Sequence, residues 1–183
     1  VNKCLKQLGE DGYVAVSKNK KTITDAGSQM LSEHKVDNAI IMAAGKGSHF
    51  YPINHKIHKS FIVVKGEPII ERLIRFLKEK GIDEIYICIG HKKEQFEYLI
   101  DKFGVELVTV KHYMEKDNLS TLSQAEPLVQ NSYIITAGQY HEDNTCRKYN
   151  EEDWDGDSDF PEMASGWLLE LGERKKVQGL GIG

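Results

Sequence analysis

The sequence predicts an α/β fold: a mostly parallel sheet with helices on both faces, behind a short N-terminal segment of different pattern. Three observations predict it. The run Asn38-Ala39-Ile40-Ile41-Met42-Ala43 is almost wholly apolar, as in a strand buried on both faces. From there strand-like and helix-like stretches alternate in the order βαβαβαβ, which implies parallel pairing through helical crossovers. The stretches Glu67–Lys80 and Lys92–Phe103 each carry one apolar stripe and each end at a glycine, Gly81 and Gly104.

Each element has its own warrant. In Glu67–Lys80 the residues Ile69, Ile70, Leu73, Ile74 and Leu77 fall on one face, so a helix is expected. Glu84–Gly90 reads as the second strand. Lys92–Phe103 reads as a single helix with Phe96, Leu99, Ile100 and Phe103 turned inward. Val105–Val110 is the third strand. Leu119–Leu128 is helical, with Pro127 near its end. Tyr133–Ala137 is the fourth strand. Gly166–Leu171 and Lys176–Ile182, joined by a turn at 172–175, form an antiparallel hairpin that extends the sheet or begins a second layer.

Residues 1–37 stand apart. Val1–Leu8 is a helix closed by Gly9, Tyr13–Val16 a short strand, Lys18–Lys21 a polar turn, and Thr22-Ile23 a returning strand. Thr24 is placed to cap a helix that runs to His34, with Asp25 in its first turn. Ile23-Thr24-Asp25-Ala26-Gly27 resembles the hairpin-to-helix junction of winged-helix repressors, so residues 1–37 are expected to be a partial winged-helix segment. That likeness implies DNA as a partner of the Val1–Leu8 helix. A small packing or dimerisation appendage is the alternative, because only about half of a winged helix is present.

Composition narrows the function class. The chain has 183 residues, enough for one mid-sized domain with its own core. The formal charge is −4, which argues against nucleic-acid binding over the whole surface. The acidity sits in residues 141–183, with eleven Asp/Glu against five Lys/Arg. No apolar run approaches the ~20 residues of a membrane span, so no membrane partner is expected. Cys4, Cys88 and Cys146 form neither a disulfide framework nor a metal knuckle, and a reducing cytoplasm is the expected setting. Val1 is not a start methionine, and the last residues read as a strand without a cap. The chain is therefore expected to be part of a longer product, with the domain of residues 38–183 truncated at its C-terminus.

The chemistry follows the first strand. Ala43-Ala44-Gly45-Lys46-Gly47-Ser48-His49-Phe50 joins small residues to two glycines, so the backbone can approach a ligand closely. Successive N–H groups in such a loop form a nest for an anion, and a phosphate is its natural occupant. Lys46 and Lys59 add cationic charge. Taken alone, a tight turn without a ligand explains such a glycine pair equally well. The loop lacks the P-loop pattern, and Phe50 stands where a dinucleotide fingerprint has its third glycine.

The longer context is more specific. Ala43 to Pro52, then His58-Lys59-Ser60, then Val64 to Glu71, resembles the signature of nucleotidyltransferases: A-A-G-x-G-x-R-x-x-P, a P-K pair, and a V-x-G-x-P-L-I-like helix start. The stretches 76–85, 90–99 and Asp117–Leu122 are similar to the phosphocholine cytidylyltransferase branch. The resemblance implies a Rossmann-like sheet and transfer of a nucleotidyl group, CMP from CTP, to phosphocholine or a sugar phosphate, with release of pyrophosphate. It implies nucleotide contacts at Ala43, Ala44, Gly45, Lys46, Gly47, Ser48, His49, Gly90, Asn118 and Thr121. It assigns Lys59 the catalytic role of neutralising charge at the α-phosphate, and it implies Mg²⁺ as cofactor.

Three positions depart from the pattern. His49 replaces the arginine, and His58 replaces the proline, which is expected to loosen the turn that aims Lys59. Gly138, in Thr136-Ala137-Gly138-Gln139-Tyr140, stands where the metal-binding aspartate is expected, so no metal ligand is assigned. The alternative function is an inactive nucleotide-binding or regulatory module, linked to DNA through residues 1–37. Restoring His49→Arg and Gly138→Asp is expected to raise activity if the scaffold is otherwise competent. Other clusters have plainer readings. His49, His55 and His58 read as a solvated loop rather than a zinc site. Asp153, Asp155, Asp157 and Asp159 read as an acidic loop rather than a calcium loop, since Ser158 and Ala164 occupy its glycine and glutamate positions. Cys88 reads as core.

Overall fold

The computed structural model describes residues 2–17, 20–111, 118–150, 167–171 and 177–182. The chain divides into two compact units, one formed by residues 1–34 and 149–183 and the other by residues 35–148.

In the first unit, helix α1 (Asn2–Glu10) leads to strands β1 (Val14–Ser17) and β2 (Lys20–Ile23), then to helix α2 (Asp25–Ser32). Gly9 does not end α1; it lies inside it. The stop is Gly12, whose φ of +79° suits glycine. Gly12 N–H donates to Gly9 O and Tyr13 N–H to Leu8 O, the paired bonds of a Schellman motif. β1 and β2 pair antiparallel, Val14 opposite Ile23 and Ser17 opposite Lys20. Thr24 caps α2 as expected, its Oγ1 accepting from Gly27 N–H at 3.1 Å and donating to Gly12 O at 2.7 Å. β9 (Trp167–Leu171) and β10 (Val177–Ile182) pair antiparallel with an irregularity between Val177 and Gly179. They form a two-stranded sheet of their own and do not extend the parallel sheet.

The second unit holds that parallel sheet. Its strands are β3 (Asn38–Ala43), β6 (Glu84–Ile89), β7 (Glu106–Thr109) and β8 (Ser132–Thr136), in the order β7-β6-β3-β8. All three pairings are parallel, with Ala43 opposite Ile89 and Met42 opposite Thr136. The carboxyl ends of the strands therefore meet along one edge. The order of strand addition switches at β3, with β6 and β7 on one side of it and β8 on the other, the kind of position where open α/β sheets bind ligands.

Between β3 and β6 lie a short hairpin, β4 (Val63–Val64) and β5 (Glu67–Pro68), and helix α3 (Ile69–Glu79). The helix starts later than the apolar stripe alone indicates. Lys65 (φ +51°) and Gly66 (φ +85°) make a tight turn that pairs Val64 with Glu67. The single helix expected over 92–103 is two pieces, a 3-10 turn at Lys93–Phe96 and helix α4 (Tyr98–Phe103). Lys92 takes a left-handed conformation, so the helical stretch begins only after it, at Lys93. Gly104 ends α4 with φ +66°, as expected. Helix α5 (Asn118–Ala125) passes into a 3-10 turn at Glu126–Leu128 that contains Pro127.

Helices cover both faces of the sheet. Ala39, Ile41 and Ala43 pack with Ile70, Ile74 and Leu77 of α3 and Leu99 of α4. On the other side Ile40 and Ala44 pack with Cys88, Val110 and Ala125 of α5. Asn38, buried at the start of β3, is satisfied: its Nδ2 donates to Leu128 O, and its Oδ1 accepts from Ser132 Oγ. Cys88 is core, and burial pushes its thiol up to about 11. No helix among the described residues is long and apolar enough to cross a membrane.

Candidate functional site

The loop after β3 and the segment after β8 lie side by side because β3 and β8 are neighbours. Ala137 N–H donates to Met42 O at 3.0 Å, which fixes the two strand ends in register. Lys59 sits between them. A Cβ added to Gly47 would lie 2.8 Å from Lys59 Cδ, and one added to Gly138 would lie 3.0 Å from its Cδ, Cε and Nζ. Gly47 also has φ +61°, so glycine is required there twice over. The two glycines leave the channel that the lysine side chain fills.

His58 overturns two expectations. It is fully buried, not part of a solvated loop. It also stiffens the turn before Lys59. Its Nδ1 accepts from Ser60 N–H at 3.2 Å and caps the 3-10 turn Lys59–Phe61. With Nδ1 an acceptor, Nε2 carries the proton and donates to Gly45 O at 3.0 Å. The ring packs edge-on against Phe96 at 5.1 Å. Burial, opposed by the bond to Gly45 and helped by the charges of Lys59 and Lys92, holds its pKa down at about 4.

Further hydrogen bonds tie down the loop. His91 N–H donates to Ala44 O at 3.1 Å. Asn54 Nδ2 donates to Gly47 O at 3.1 Å and lies 3.5 Å from Lys46 O. Lys92 Nζ donates to Asn54 O. Gln95 bridges the same region, its Oε1 accepting from His58 N–H at 2.8 Å and its Nε2 donating to Lys56 O at 3.1 Å. On the β8 side, Arg72 Nε donates to His141 O at 2.9 Å and anchors the segment beyond Tyr140.

The site is electropositive. Lys46, Lys59 and Lys92 converge on it, and the pKa of His91 is lowered by burial and by the charges of Lys92 and Lys46. The Lys59 ammonium is half-buried, and burial lowers its pKa. Among the described residues no carboxylate pairs with it. A divalent cation does not fit beside Gly138. The glycine offers no oxygen side chain, and an ammonium lies against it. Among the described residues no group of three His, Cys, Asp or Glu side chains is placed to hold a metal ion.

The predicted residues fall into three groups. Gly45, Lys46, Gly47, Ser48 and Lys59 gather at the carboxyl edge of the sheet, with Ala43 and Ala44 buried at the root of their loop. Gly90 is buried directly after β6, on the same edge. Thr121 is buried on α5, the helix whose Ala125 packs against Ala44. Asn118 begins that helix, and the side chains of Asn118 and His49 lie outside the described set, as does the acidic stretch 153–159. Sequence reasoning missed Asn54 and Gln95, which stand in stretches without periodicity. His91 and Lys92 were within its reach, in the segment after Gly90.

A family model for nucleotidyl transferases matches residues 38–149. The chain belongs to the nucleotidyl transferase family. Its fold is the expected one, a mostly parallel α/β sheet. A choline-phosphate cytidylyltransferase of Streptococcus pneumoniae is 37% identical over 140 residues, 76% of this chain and 61% of the relative. A choline-phosphate cytidylyltransferase of Haemophilus influenzae is 40% identical over 100 residues, 55% of this chain and 43% of the relative. The solved structure of CTP:phosphocholine cytidylyltransferase from Streptococcus pneumoniae aligns with a TM-score of 0.63 at 35% identity, over 81% of this chain and 64% of that one. This member of the family thus aligns with between 43% and 64% of the length of these relatives.

Proposed function

We propose that the chain binds a nucleoside triphosphate, CTP, at the carboxyl edge of its sheet and carries the nucleotide half of a phosphocholine-type cytidylyltransferase site. The observation that carries this is Lys59, a half-buried ammonium without an acidic partner among the described residues, held against the glycine loop. A buried charge without a counterion is costly, and an anionic ligand offsets that cost. The similarity to two choline-phosphate cytidylyltransferases supports CTP as the nucleotide and phosphocholine as the acceptor.

In the proposed reaction an acceptor phosphate oxygen forms a bond to the α-phosphorus of CTP. The bond from that phosphorus to the α,β-bridging oxygen breaks, and pyrophosphate leaves with the electron pair. No covalent enzyme intermediate forms, so the protein contributes position and charge. Loop amides from Gly45 to Ser48 hold the triphosphate, Lys59 neutralises charge at the α-phosphate, and Lys46 and Lys92 add to the positive field. Gly90, Asn118 and Thr121 are proposed to face the base and ribose.

Calorimetric titration with CTP, UTP, GTP and ATP, each with and without Mg²⁺, tests the reading. Selective CTP binding is expected, weakened about tenfold or more in Lys59→Met. Failure to bind any of the four nucleotides overturns the proposal. The Mg²⁺ arm tests whether a divalent cation accompanies the nucleotide.

A further inference from the structure

A trans peptide unit is planar, so each C=O points opposite to the N–H of the next residue. In the loop after β3 four consecutive carbonyls are held from the protein side. Ala44 O accepts from His91 N–H, Gly45 O from His58 Nε2, and Gly47 O from Asn54 Nδ2, which also lies within reach of Lys46 O. The N–H groups of Gly45, Lys46, Gly47 and Ser48 must therefore face away from those anchors. Among the described residues these four groups donate to none of the hydrogen bonds that fix the loop. Each of them points away from the anchor of its own peptide's carbonyl and is left to meet a ligand.

We propose that His58 and Asn54 are positioning residues, which hold the loop by its carbonyls so that its amides are already aimed at phosphate before the nucleotide arrives. This rests on the reading of the loop as a triphosphate site. His58 suits the task because Ser60 N–H fixes its tautomer and leaves Nε2 as the donor. A charged imidazolium would donate from both nitrogens and lose the Ser60 bond. Asn54 is steadied by Lys92, which donates to its carbonyl. Gln95 holds both ends of the 56–58 stretch. An arrangement fixed in advance binds more tightly because less order is lost on binding.

The test compares pyrophosphate, CMP and CTP binding by calorimetry in the unmodified chain, Asn54→Ala, His58→Ala and His58→Gln. In Asn54→Ala, pyrophosphate and CTP are expected to bind about tenfold more weakly, the effect of roughly one hydrogen bond, while CMP loses much less. His58→Gln, which keeps a donor, is expected to retain more CTP affinity than His58→Ala. Equal losses for CMP and CTP would indicate a merely structural role and overturn the proposal. Unchanged CTP affinity in Asn54→Ala would overturn it while leaving the triphosphate site intact. An unmodified chain that binds neither pyrophosphate nor CTP would overturn both. Because Asn54 is only half-buried, its variant keeps the comparison available if the His58 variants fail to fold.

Discussion

At the scale of single residues, the site is shaped by what Gly47 and Gly138 leave out. The resemblance to the family signature makes Gly138 the loss of an expected aspartate. The structure gives the position a different meaning, because the end of the Lys59 side chain runs along it. Restoring an acid there does more than return a metal ligand. The Gly138→Asp carboxylate would meet Lys59 Nζ and pair with it, removing the cation that the phosphates need. CTP affinity of Gly138→Asp in EDTA is therefore expected to fall about tenfold, and added Mg²⁺ should recover part of the loss by drawing the carboxylate away. Calorimetry in EDTA and in Mg²⁺ checks this, and equal affinity of variant and unmodified chain in EDTA would sink it. The loop motif and Lys59 were legible in the sequence because glycine spacing and charge are local signals. Asn54 and Gln95 were not, because their function lies in reaching carbonyls across 7 and 39 residues of chain.

At the scale of elements, two glycines of the first unit behave in opposite ways. Gly27 is buried in α2, and a Cβ there would lie 2.3 Å from Tyr13 O and 2.9 Å from Ile23 Cγ1. A backbone carbonyl cannot step aside, so helix and hairpin pack only with glycine at this point. Gly27→Ala is expected to destabilise the unit by about 1–3 kcal/mol or more. Gly9 sits inside α1 with its nearest prospective contact at 3.6 Å, so Gly9→Ala is expected to stabilise by roughly 0.5–1 kcal/mol. Urea unfolding of both variants measures the contrast, and a shift of the same sign in each would contradict it. Apolar stripes placed the helices of the parallel sheet within a few residues. They failed at 92–97, where a left-handed Lys92 leads into a 3-10 turn, and at 67–68, where a tight turn at Lys65-Gly66 precedes the helix. Positive φ at a lysine leaves no mark in composition; the surrounding contacts impose it.

At the scale of the whole molecule, acid stability follows from His58. Above about pH 6.5 the ring is neutral in folded and unfolded chains alike, so it makes no difference to stability. As pH falls below that value the unfolded chain takes up the proton while the buried ring resists it until about pH 4. Stability is thus expected to fall between about pH 6.5 and 4, by roughly 3 kcal/mol from this group, and to level off below. Urea midpoints across that range check the slope, which should flatten in His58→Gln. An identical slope in that variant would exclude His58 as its source. The same ring shows where the two kinds of information divide. The α/β class, the parallel order of alternating elements, the glycine loop and its lysine could be read before any folding was known, because periodicity, charge and turn chemistry are written in neighbouring residues. Folding alone buries His58 in its neutral form, seats Lys59 in the channel left by Gly47 and Gly138, and holds the loop carbonyls from behind. Those facts depend on which distant segments meet at the edge where β3 and β8 run side by side, and burial there sets both charge and hydrogen bonding.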